Sequence, residues 1–212
     1  MAGRYHRVMT DSPADAPRPQ GRYPKGIARR QEILDKAIEV FAQRGAKKTS
    51  LRAIAQEVGV THAALTHYFG SLEELLVAVY RESERRSDET EPDEPGLTPA
   101  MGMRLAAEKN RDIPGLVQLY STLVATALEE SEPQPAQEFI TARFARLRAE
   151  ISAQVRELQA SGRLRSDLDP GLVAALVIAA SDGLQTQWLL DPAVDHEGAL
   201  EMLDRLLAGG AA

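Results

Sequence analysis

The chain has 212 residues, 43% of them apolar, with 25 Lys and Arg against 31 Asp and Glu, a net charge of −6, and no cysteine. The length fits one large domain or two small ones, and the apolar share supports a sizeable core, which argues against global disorder. Without cysteine there is no disulfide scaffold, thiol nucleophile or Cys-ligated zinc.

The longest apolar stretches, Leu172 to Ala180 and the interrupted run Leu116 to Leu128, fall short of the roughly 20 residues of a bilayer span. At the N-terminus, Arg4, His6 and Arg7 lead into a Pro-rich polar stretch rather than the apolar run of a secretory signal. The expected location is therefore the cytoplasm. The total charge hides an asymmetry. Residues 1–70 hold 12 Lys/Arg and 6 Asp/Glu, a balance of +6, whereas residues 71–212 hold 13 and 25, a balance of −12. A basic N-terminal third on an acidic body points to one end that meets a polyanion.

Residues 1–24, with Pro13, Pro17, Pro19 and Pro24, lack apolar periodicity and read as a flexible extension, in which Met9 is an alternative start to Met1. From Arg29, the residues Ile33, Leu34, Ala37, Val40 and Phe41 recur at steps of three and four, an amphipathic helix that Gly45 ends. Thr49 is placed to cap a second, short helix through Leu51, Ile54, Ala55 and Val58, which Gly59 breaks. Thr61 caps a third helix with Leu65 and Phe69 facing in, and Ser71-Leu72-Glu73-Glu74 forms a capping box that opens a fourth.

Ser87 to Gly96 holds five carboxylates and two prolines, the composition of a solvated linker. Beyond it, Pro114 starts a helix to about Glu130. Pro133 and Pro135 precede a long helix that Gly162 ends, and Asp169-Pro170 opens a very apolar one that stops at Asp191-Pro192. A last helix carries Leu200, Leu203, Leu206 and Leu207. With no strand alternation, the expected fold is all-α, about nine helices: a three-helix helix-turn-helix domain over residues 25–70 and a larger helical bundle over residues 71–212.

A helix, a Gly-containing turn and a second short helix at this spacing form a helix-turn-helix, whose second helix lies in the DNA major groove. An ordinary antiparallel helix pair gives the same spacing. The basic surroundings, with Lys47, Lys48 and Arg52, favour DNA, because phosphate neutralisation supplies much of the affinity. With Leu65 and Phe69 inward, Thr61, His62, Ala63, Thr66 and His67 face out. Upstream, Arg22, Tyr23, Lys25, Arg29 and Arg30 form a basic arm of the kind that enters minor grooves, or a solvated tail.

The stretch TSLRAIAQEVGVTHAALTHYFGSLEELL, within Arg29 to Leu76, resembles the DNA-binding domain of the TetR family of bacterial repressors. The likeness rests on Ile54-Ala55, Gly59-Val60-Thr61, Leu65, Phe69 and Glu74-Leu75, and covers about a quarter of the chain. Three positions depart from the family: Ala63 stands where Gly is frequent, Thr66 where Tyr is, and Leu72 where Lys is. That Tyr and Lys commonly contact phosphate, so either His67, Tyr68 and the cap at Ser71 replace them, or backbone affinity is lower. The basic arm, the basic surroundings, the outward face and the resemblance together make Arg22, Lys25, Lys48, Thr49, Arg52, Thr61, His62, Ala63, Thr66, His67, Tyr68 and Ser71 the DNA-binding candidates. The resemblance also implies a homodimer through the last two long helices, and a small-molecule cavity in the C-terminal domain.

For the dimer, Leu172, Leu176, Ala180, Leu184, Leu203 and Leu206 are the candidates, since this stretch is more apolar than a one-sided surface helix needs. For the cavity they are Met101, Met103, Tyr120, Leu123, Phe139, Arg143, Phe144 and Trp188, although such residues are more often core. Arg111 is a second candidate handle for an anion. No cofactor or metal is expected: His62 and His67, five apart, sit about 140° apart on a helix. No Gly-rich phosphate loop, G-x-S-x-G or H-E-x-x-H is present, so an enzyme is the lesser alternative, beside a helical adaptor without DNA.

Overall fold

The computed structural model describes residues 24–44, 51–90, 96–129 and 134–209. Among them are nine α-helices: α1 (Pro24–Arg44), α2 (Leu51–Val58), α3 (His62–Phe69), α4 (Leu72–Thr90), α5 (Pro99–Asn110), α6 (Pro114–Glu129), α7 (Pro135–Ala160), α8 (Pro170–Leu190) and α9 (His196–Leu207). The only β-type pairing among the described residues is an isolated bridge between Leu164 and Ala208. The all-α fold is therefore as expected.

The ends of the helices follow capping chemistry. At α2, Val60 donates its N–H to the Ala55 carbonyl at 2.8 Å and Gly59 donates to Gln56 at 3.2 Å, with Gly59 at φ +76°. That is a Schellman stop, which needs a left-handed residue and so favours glycine. Gly162, at φ +74°, closes α7 the same way, with Arg163 N–H on the Leu158 carbonyl at 2.8 Å. Asp169 caps α8 through its side chain on the Leu172 N–H, with Pro170 at the first helical position.

Two boundaries and one apolar stretch differ from the sequence reading. Helix α1 starts at Pro24 rather than Arg29, so Lys25, Arg29 and Arg30 lie on its first turns and not on an arm. Proline at the first position has a preset φ and no N–H to lose, and Arg29 holds Glu32 at 2.8 Å one turn on. Helix α4 runs on through Ser87–Thr90, where linker was expected, because Glu82, Arg85, Arg86 and Glu89 pair at helical spacing. Finally, α8, with 21 residues and a mean hydropathy of 1.2 over its best window, is long and apolar enough to cross a membrane, against the expectation that no stretch was. Its Val173, Ala174, Val177, Ile178 and Ser181 are buried inside the protein.

Two apolar clusters hold the fold together. The first joins Ile33, Ala37 and Phe41 of α1, Ile54 and Val58 of α2, Leu65 and Phe69 of α3 and Leu75 and Val79 of α4 to Leu119 and Leu123 of α6 and Phe139 of α7. The second joins the C-terminal half of α7 to α8 and α9. Helix α4 thus packs on the N-terminal helices and on α6 and α7 at once. Glu73 at its start accepts the Ala136 N–H of α7 at 2.6 Å. Further along, Glu82 accepts from Arg85, Arg86 and, at 3.1 Å, Gln31 of α1, and Arg86 pairs with Asp35 of α1. Hydrogen bonds from Arg85, then from Arg86, hold the Glu82 carboxyl down at about 2, although its burial opposes this.

Candidate functional site

Helix α3 is set at a fixed angle to α2 by the three-residue turn Gly59-Val60-Thr61. Thr61 accepts the Ala64 N–H on its side-chain oxygen at 3.1 Å, which fixes where α3 begins. Leu65 and Phe69 are buried, and the Arg30 guanidinium lies 4.6 Å above the Phe69 ring. The rest of the helix is exposed at His62, Ala63, Thr66 and His67. At about 100° per residue those four span an arc of roughly 140°, wide enough to face a groove. Thr66 turns its hydroxyl proton back to the His62 carbonyl at 3.0 Å, which leaves its oxygen as an acceptor outward. His67 meets Tyr68 edge-on, with centroids 5.2 Å apart.

A shallow concavity between α2 and α3 is lined by Arg52, Ala55, Gln56, Val60 and His62. Gln56, absent from the sequence-based candidates, sits one turn after Arg52 on α2, and that i, i+4 spacing was the available signal. Ser71 caps α4 by accepting the Glu74 N–H at 3.0 Å, while its own N–H donates to Phe69, so the expected capping box is formed on one side. Lys25 is exposed on α1. Arg22, Lys48 and Thr49, like Tyr23 and Lys47, lie outside the described residues. Because the Thr61 cap satisfies an otherwise orphaned N–H, Thr61→Ala is expected to cost about 1 kcal/mol of stability, measured by urea unfolding, and Thr61→Ser to restore most of it.

Behind the head, side chains of α1, α4, α5, α6, α7 and α8 line an open cavity of about 430 Å³. Met103, Tyr120 and Arg143 line it, together with Tyr80, Glu84, Asp182 and Gln185, which sequence reasoning did not select. Tyr80 and Tyr120 stack at 5.1 Å, and the Arg143 guanidinium lies 4.7 Å over Tyr120. Arg143 donates to Glu84 at 2.7 Å and to the Tyr120 hydroxyl at 3.3 Å, and Tyr120 donates to Asp182 at 2.8 Å. Burial pushes the Tyr80 hydroxyl up to about 12, against the pull of Arg143, and raises Tyr120 as well. Burial also raises Asp182, opposed by the Tyr120 hydrogen bond and by Arg143. Arg143 is raised: burial works against its charge, and the tyrosines and Glu84 outweigh it.

The remaining cavity candidates lie elsewhere. Leu123 and Phe139 are in the first apolar cluster, and Phe144 packs partly buried against both. The Met101 sulfur contacts Arg104 of its own helix at 3.0 Å, Trp188 tilts against buried His196 at 5.4 Å, and Arg111 pairs with Glu197. On the opposite side of α8, Leu172 and Leu176 are exposed at 67% and 61%, as is Leu206 of α9 at 61%. Ala180, Leu184 and Leu203 are half-buried.

Comparison with known proteins gives a consistent picture. A family model described as bacterial regulatory proteins, tetR family, matches residues 33–79. A second, described as the C-terminal part of the BetI-type transcriptional repressor, matches residues 122–211. The chain is similar to the HTH-type transcriptional repressor Rv1474c of Mycobacterium tuberculosis, 28% identical over 74% of this chain and 80% of that one. It is also similar to the HTH-type transcriptional repressor AcnR of Corynebacterium efficiens, 27% identical over 85% and 91%. A TetR-family regulator from Rhodococcus sp. shares the fold with a TM-score of 0.68 at 22% identity, over 85% of this chain and 98% of that one. These relatives are regulators of transcription, not enzymes.

Proposed function

The chain belongs to the TetR family of bacterial transcriptional regulators, and from that premise we propose that it is a cytoplasmic homodimeric repressor, released from a palindromic operator by a small molecule. The observation that carries the DNA-binding part is the α3 surface: a capped helix with Leu65 and Phe69 anchored and a polar arc of His62, Ala63, Thr66 and His67 left open. A two-fold dimer sets two such helices roughly 34–36 Å apart, one turn of DNA. The head spans residues 25–70 and the sensing and dimerising body residues 71–212, with α4 shared between them.

Release follows from that sharing. Tyr80, Glu84 and Arg86 of α4 line the cavity, and only Gly70 and Ser71 separate α4 from α3. A ligand that needs a wider cavity displaces α4, and with it α3, so it binds the DNA-incompetent state better and shifts the population towards it. DNA selected from a random pool by the full-length protein should yield a palindrome, and gel-shift titration on it should be steeply salt-dependent. A dimer making six or more phosphate contacts loses roughly 1,000-fold in affinity between about 50 and 200 mM salt. Selection that returns no preferred sequence would overturn the regulator reading.

A further inference from the structure

The charges around the cavity are paired, with one exception among the described residues. Arg86 is held by Asp35 and Glu82, Arg143 by Glu84 at 2.7 Å, and Arg146 by Glu84 at 3.5 Å and Glu150 at 3.6 Å. Asp182 has no cation within ion-pair distance. Its Oδ2 accepts the Tyr120 hydroxyl at 2.8 Å, and its Oδ1 has no protein donor. Arg143 acts on it only from beyond ion-pair distance and is committed to Glu84, so the half-buried carboxylate is relieved either by taking up a proton or by gaining a cation of its own. Burial raises the Asp182 carboxyl, the response of a group in that position.

We propose that the effector is an amphipathic amine, whose protonated nitrogen donates to Asp182 while its apolar part lies on Met103, Ile113 and Val117. This inference rests on the proposed ligand-released regulator and names its ligand class. An anionic effector is disfavoured because each arginine on the wall already holds a carboxylate, so binding an anion would break a pair. The faces of Tyr80 and Tyr120 already attract Arg143, which makes Asp182, rather than the rings, the seat for a second positive charge. Beside it on α8, Ser181 accepts from Gln185 at 3.2 Å, and Gln185 accepts from Asn110 at 3.3 Å. These side chains supply further acceptors for an N–H group.

The test is calorimetric titration of the full-length dimer with four probes of like size: n-hexylammonium, hexanoate, hexanol and the quaternary hexyltrimethylammonium. Hexylammonium should bind, hexanoate and hexanol weakly or not at all. Asp182→Asn should weaken hexylammonium roughly 10- to 100-fold, as loss of a hydrogen bond to a charged partner does. Tyr120→Phe, which removes the donor already on Asp182, should keep the binding or tighten it. Circular dichroism melts establish that each variant is folded, and Asp182→Glu should recover much of the affinity if Asp182→Asn is not. Equal binding of hexylammonium and the quaternary probe retains the charge but overturns the N–H donor. Preference for hexanoate, no binding by any probe, or an unaffected Asp182→Asn overturns the proposal. The gel shift is independent of this result: a protein that binds hexylammonium but no operator refutes the repressor reading alone, and one that binds operator but no amine refutes the amine alone.

Discussion

Replacing both His62 and His67 by alanine is expected to bring affinity for the selected operator down to that for random DNA, while fold and dimer survive. Both side chains are exposed on α3, at the two edges of the arc opposite Leu65 and Phe69. Exposed substitutions of this kind change stability by about 0.5 kcal/mol or less, so the melting temperature should barely move. A good base contact is worth about 1–3 kcal/mol of discrimination, so losing two costs roughly 30- to 20,000-fold in specific affinity. Non-specific binding rests on phosphate contacts, so it should keep its magnitude and its salt slope. Gel shifts of wild type and double variant on operator and on scrambled DNA, at two salt concentrations, measure the affinities and the slope. A double variant that still discriminates like wild type would move the reading face elsewhere, with Arg52 and Gln56 beside the α2–α3 concavity the next residues to change.

The part of this site readable from the sequence is the part made by local rules. Thr61, Gly59, Ser71 and the Asp169-Pro170 pair act on backbone groups a few residues away, so their spacing alone places the ends of α2, α3, α4 and α8. The start of α1 and the end of α4 differ because Pro24 and the acidic stretch after Ser87, usual signs of a loop, here serve as a first helical residue and, at Glu89, as a partner of Arg85 one turn back. The cavity was less accessible still. Glu84 meets Arg143 across 59 positions and Tyr120 meets Asp182 across 62, and no local pattern encodes such pairs. In the sequence Asp182 is one of several polar residues in the second half of α8, and Tyr80 simply follows Val79 on α4. Only the packing of α4 against α6 and α7, and of α6 against α8, brings them together. Leu123 and Phe139 lie in the first apolar cluster for the complementary reason: helical spacing tells inward from outward, but it does not tell filled core from empty space.

The double variant Leu172→Glu, Leu176→Glu is expected to be monomeric and to lose the preference for a palindrome over a single half-site. Leu172, Leu176, Ala179 and Gly183 are exposed on one side of α8 and make an apolar stripe on an acidic body, and Leu206 of α9 is exposed as well. Isolated exposed leucines are ordinary, but a stripe with small residues at its centre lets two helices approach closely. In a two-fold interface each substitution enters twice, so four carboxylates would be buried without counter-charges, at a cost of several kcal/mol each. Because the opposite side of α8, Val173, Ala174, Val177 and Ile178, carries the packing within the chain, the monomer should remain folded. Light scattering after size exclusion gives the mass, and gel shifts on full and half operators give the loss of avidity, which for two linked half-sites is roughly 100-fold or more. Leu128→Glu serves as the control: Leu128, at the end of α6, is 81% exposed, and its substitution should leave the dimer intact. A Leu172→Glu, Leu176→Glu protein that stays dimeric would place the interface on another surface, and a wild type that is monomeric and binds half-sites as well as palindromes would remove the dimer from the proposed function.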